Sequence, residues 1–92
     1  MEATEIVRRL DEGQVVRINR DQLGELLSMT ESLEEERTAI AGGIRTLGLG
    51  DRVLVQERNP EGDLFVRKLA SEDAAGRFVR SRLDAYERMW DG

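Results

Sequence analysis

Neither cysteine nor histidine occurs in this 92-residue chain, and proline occurs once. Without cysteine, no disulfide or thiolate metal site can reinforce a core that, at this length, buries only roughly 60–65% of the unfolded surface. Without histidine, the usual general base, the usual zinc ligand and every Ser-His-Asp arrangement are excluded. Carboxylates, arginines, Lys68 and Tyr86 remain. So few activated groups point to a protein that is not an enzyme. No apolar run approaches the ~18 residues of a membrane span. The opening MEATEIVRRL is charged and lacks the apolar stretch of a signal peptide. The expectation is a cytoplasmic, single-domain chain with no membrane partner.

Charge is what the chain has in quantity: 19 acidic side chains against 14 basic ones, for a net charge of −5. The surplus is concentrated in residues 19–47, where six acids face three arginines. An acidic chain is a poor match for a phosphate backbone, so nucleic acid is not the favoured partner.

Along the chain, Ile6, Val7 and Leu10 give residues 3–11 one apolar face, which predicts a short helix running out toward Gly13. QVVRI, residues 14–18, is β-branched and bounded by Gly13 and Asn19, and predicts a strand. Asn19 followed three residues later by Gln22 has the form of a capping box, so a helix is expected from Arg20. From there Leu23, Leu26, Thr30, Leu33, Arg37, Ile40, Ile44 and Leu47 step alternately by three and four. That is a heptad register. It predicts one long helix over residues 20–47, frayed or kinked at Gly42-Gly43 and capped by Gly48.

Two β-rich runs follow, RVLVQER and LFVRKL, on either side of NPEGD. With Pro60-Glu61-Gly62 as the loop and Gly62 at positive φ, a hairpin over residues 52–69 sets Val53 opposite Leu69, Val55 opposite Arg67 and Glu57 opposite Phe65. Ser71 is placed to cap a last helix over residues 72–90, where Val79, Leu83, Tyr86 and Trp90 share a face. The predicted class is α+β: a small antiparallel hairpin sheet packed with a long central helix and a C-terminal amphipathic helix.

Function follows from that long helix. A 28-residue helix would outreach the body of so small a protein and leave its leucine seam uncovered. The seam therefore predicts a non-enzymatic assembly module, a homodimer or a binder of another protein. Its interface would be Leu23, Leu26, Leu33, Arg37, Ile40, Ile44 and Leu47, with Tyr86 and Trp90 beside them. The alternative bends the chain near Thr30 and starts a second helix at Ser32. In that reading ERNPEGDLF resembles the wing of MarR-type regulators, a resemblance over about residues 44–69 that implies a small winged-helix DNA-binding regulator. The supposed recognition helix would then open LEEER, setting Glu34, Glu35 and Glu36 near phosphates. Those three glutamates diverge by ~100° each on a helix and predict no metal site. GGIRTLGLG follows no strand, so it is not a phosphate loop, and no cofactor is expected.

Overall fold

The computed structural model describes the backbone of residues 2–32, 37–39 and 42–91, and the side chains of all of these except residues 32, 37–39, 42, 86 and 89–91. Helix α1, Ala3–Arg9, turns Ala3 and Val7 inward. It ends two residues sooner than expected because Leu10 is already extended, at φ −74° and ψ 131°. Gly13, at φ 82°, leads into strand β1, Val15–Ile18. Helix α2 starts at Arg20 as its capping box requires. The Gln22 N–H donates to Asn19 Oδ1 at 2.8 Å, and the Asn19 N–H donates to Gln22 Oε1 at 2.9 Å.

The long helix over residues 20–47 is not formed. Helix α2 spans only Arg20–Met29, and Thr30 is extended at φ −102° and ψ 157°. Three strands come next: β2, Glu31–Ser32; β3, Arg37–Ala39; and β4, Gly42–Leu49. A second helix after Thr30 is absent from the described residues too, so the winged-helix outline loses its recognition element. Gly42-Gly43 costs a helix about 1 kcal/mol per residue, while Ile44 and Thr46 favour a pleated strand. The deciding feature is the turn at Gly50-Asp51. Gly50 takes φ 63° and Asp51 does not take positive φ, the pattern of a two-residue type II′ loop. It pairs β4 with strand β5, Arg52–Arg58, from Leu49↔Arg52 to Ile44↔Glu57. Gly48 is a strand residue opposite Val53 and not a helix cap.

The following hairpin forms in the expected register. Strand β6, Leu64–Leu69, sets Val53 against Leu69, Val55 against Arg67 and Glu57 against Phe65, and Gly62 has φ 90°. The loop is tied by the Asp63 N–H donating to Asn59 Oδ1 at 2.8 Å and the Gly62 N–H donating to the Asn59 carbonyl at 3.0 Å. Strand β1 pairs antiparallel with β6, giving the run β1-β6-β5-β4, with β2 and β3 both on the outer side of β4. Helix α3, Glu72–Asp91, starts at Ser71, whose Oγ accepts from the Ala74 N–H at 3.1 Å.

The fold is a small α+β arrangement with helices on both faces of an antiparallel sheet. On one face α1 and α2 close over Ile18, Leu47, Leu54, Leu64 and Val66. On the other, Ala75 and Val79 of α3 close over Ile44 and Val55, flanked by Phe78 and Leu83. Each fully buried aliphatic side chain contributes roughly 1.5–3 kcal/mol. The expected seam is divided between these two cores. Leu26 and Leu47 lie in the first, with Leu23 half-buried beside them, and Ile44 lies in the second. Alternation along β4 sends Ile44 and Leu47 to opposite faces, which a helical seam could not do.

Candidate functional site

Helix α3 covers the sheet unevenly. Its buried residues sit over β4 and β5, while the same face of β6 and β1 is more open. Val15 is 47% exposed, and Phe65 and Arg67 are half-buried. The step from covered to open sheet forms a groove of about 300 Å³ lined by Val15, Glu57, Asn59, Phe65, Arg67 and Arg82. The alternation of the strands builds it. Val15 lies opposite Arg67 and Glu57 opposite Phe65, so all four side chains project to the α3 side.

Two guanidinium groups lie over one ring. The Arg67 Cζ is 4.8 Å from the Phe78 centroid, and the Arg82 Cζ is 4.9 Å from it. Helical spacing accounts for the second, since Phe78 and Arg82 are four residues apart on α3. Arg82 Nε also lies 2.9 Å from Glu57 Oε2, and Glu57 is only 8% exposed. Arg67 Nη1 donates to the Gly13 carbonyl at 3.0 Å. Among the described residues Arg67 has no carboxylate within ion-pair distance. Among the described residues the groove therefore holds two positive charges and one negative, a local surplus of the sign opposite to that of the whole chain.

A guanidinium over an aromatic ring gains a cation–π attraction, and its planar fork of N–H donors matches the two oxygens of a carboxylate. Val15 and Phe65 supply an apolar floor that weakens competition from water. The arrangement can bind an anion with an apolar body. A larger cleft, about 490 Å³, lies at the start of α2 and includes Arg17, Asn19, Gln22 and Asp63. Most of its polar groups are engaged with one another: Asn19 and Gln22 bond each other, and Arg17 Nη2 meets Asp63 Oδ1 at 2.7 Å, which leaves the exposed Arg20 at its rim.

No family model, no curated protein and no solved structure matches this chain. The site therefore stands on its own geometry.

The expected interface residues are not gathered here. Leu26 and Leu47 meet in the first core, and Ile44 lies in the second at 1% exposure. Arg37 lies in β3, and Tyr86 and Trp90 lie on α3, with their side chains outside the description. Leu33 and Ile40, and with them Glu34, Glu35 and Glu36, lie outside the described residues. Among the described residues no three His, Cys, Asp or Glu converge on one point, and no helix is long and apolar enough to cross a membrane. Arg67, Phe78 and Arg82 were missed as a group. Their signals were present: an aromatic and an arginine four apart on a helix, and an arginine whose hairpin register puts it on the α3 side.

Proposed function

We propose that this chain is a non-enzymatic protein-binding module whose ligand is an acidic segment of another protein, held in the Arg67–Arg82 groove. The observation that supports the reading is the charge count at Phe78: two guanidinium groups share the ring, and one carboxylate answers them. A partner's Asp or Glu supplies the second carboxylate. Charge-assisted hydrogen bonds to a fixed guanidinium are roughly twice as strong as neutral ones. The described lining of the groove is Val15, Glu57, Asn59, Phe65, Arg67 and Arg82, a set suited to recognition by charge and apolar contact. Self-association through residues 20–47 is not part of this reading, because the helix that motivated it stops at Met29.

The test uses blocked hexapeptides that alternate Glu with Val or Leu, and the same peptides with Gln for Glu. Fluorescence anisotropy is read at two salt concentrations. The acidic peptides bind more tightly, and raising the salt weakens them. Arg67→Gln and Arg82→Gln each lower affinity at least tenfold, as loss of one partner of a charge pair does. Arg77→Gln, an equal charge change on an exposed residue outside the groove, leaves affinity within about twofold. Equal affinity for the Glu and Gln peptides, or equal losses in all three variants, refutes the reading.

A further inference from the structure

We infer that the acidic segment is bound as an added β-strand along the free edge of β1. The inference rests on the groove reading above and says how the segment lies. Among the described residues strand β1 ends the sheet on its side, paired only to β6. At its start, the Gly13 N–H donates to the Lys68 carbonyl at 2.8 Å and the Lys68 N–H donates to the Gln14 carbonyl at 3.2 Å. With Gly13 at φ 82°, two residues of this strand oppose one of β6, the form of a G1 bulge. Gln14 is thus bonded to β6, and ladder alternation assigns Val16 and Ile18 to β6 as well. The N–H and C=O of Val15 and Arg17 point outward. They repeat at about 6.8 Å, the two-residue period of a strand.

Sheet edges are commonly shielded by a charged side chain, a proline or a covering element. On β1 the one charged side chain is drawn aside: Arg17 Nη2 lies 2.7 Å from Asp63 Oδ1, across the start of β6. There is no proline between Gly13 and Asn19. Among the described residues the edge is bounded instead of covered, by the bulge at Gly13 and by the capped start of α2 at Asn19, and the stretch between them matches a segment of about four residues.

The arginine reaches this edge. Arg67 belongs to β6, yet its Nη1 bonds the Gly13 carbonyl at the start of β1. Its guanidinium therefore reaches from β6, under Phe78, to the start of the neighbouring strand. A strand added beyond β1 lies another ~4.8 Å away. A Glu side chain at the position facing Val15, on the α3 side, spans that gap. Backbone pairing sets the register, and Arg67 selects the acid within it.

Amide hydrogen exchange reads the pairing directly. On saturation with the acidic peptide, exchange at the Val15 and Arg17 amides slows at least tenfold, while Val16 and Ile18 change little. Unchanged exchange at Val15 and Arg17 in the saturated complex overturns the inference. Val15→Pro removes an outward N–H, which an edge strand tolerates, and lowers peptide affinity at least tenfold, while Val15→Ala, which trims the groove floor and keeps the N–H, lowers it less. Peptides N-methylated at alternate residues make the same test without altering the protein: one set loses binding and the other keeps it. Equal binding by both sets overturns the strand geometry. If Arg67→Gln abolishes binding while N-methylation has no effect, the groove reading stands and the added strand falls. If N-methylation abolishes binding while Arg67→Gln has no effect, the acidic selection falls.

Discussion

Alanine placed at two glycines, Gly62 and Gly24, should move stability in opposite directions. Gly62 sits in the β5–β6 loop at φ 90°, and a Cβ added there meets nothing within 4 Å. The cost of Gly62→Ala is therefore conformational and not steric against neighbours. An L-residue in the left-handed region costs roughly 1–2 kcal/mol. Reduced freedom of the unfolded chain offsets part of this, leaving a loss of about 1 kcal/mol. Gly24 lies within α2, is exposed, and has equal space around a new Cβ. Its backbone already suits alanine, and the glycine-to-alanine change inside a helix gains about 0.8–1 kcal/mol. The two variants should then differ by about 2 kcal/mol. For a domain of this size 1 kcal/mol moves Tm by roughly 4–8 °C, so their melting temperatures should lie about 8–16 °C apart, with wild type between. Thermal and urea unfolding followed by far-ultraviolet circular dichroism measures this, with an unchanged urea slope showing that the unfolded state is the same. If Gly62→Ala melts at or above wild type, the loop does not need the positive φ described. If Gly24→Ala falls with it, residues 20–29 are not helical.

Leu26 has no exposed surface and packs in the first core. Leu26→Asp should cost about 4 kcal/mol or more, close to the whole stability of a small domain, and the circular dichroism spectrum should be that of an unfolded chain. A folded Leu26→Asp variant that merely changes its mass by light scattering would instead support the long-helix seam. Asn19→Ala should cost about 1 kcal/mol through the lost cap. Gln22→Ala should cost less, and the double variant should fall short of the sum because the two side chains serve one box. Arg17→Ala should change stability by no more than about 0.5 kcal/mol in urea unfolding, since the Arg17 side chain is 69% exposed in its ion pair.

What was legible in the sequence was written in short-range chemistry. The start of α2 follows from Asn19 and Gln22, which need only each other. The β5–β6 register follows from Pro60, Gly62 and the alternation on either side. Ser71 announces α3 in the same way. Each of these is decided within about ten residues, so no partner element is needed to read it. Residues 30–49 are different. Their three-and-four spacing is compatible with a helix, and their glycines and β-branched residues with strands. A strand covered on both faces shows no alternation of polar and apolar residues, so Ile44 and Leu47 carry no visible period of two. Only β5, lying alongside through the Gly50-Asp51 turn, decides for the strand by supplying a backbone partner for every residue from Ile44 to Leu49. The groove is a tertiary product as well. Val15, Arg67 and Arg82 lie far apart in the chain. The sheet sets the first two opposite each other, and α3 brings the third to the same face by packing Val79 and Ala75 onto Ile44 and Val55. No local propensity states which face a helix will cover; that depends on which apolar side chains of the assembled sheet are still exposed when the helix arrives.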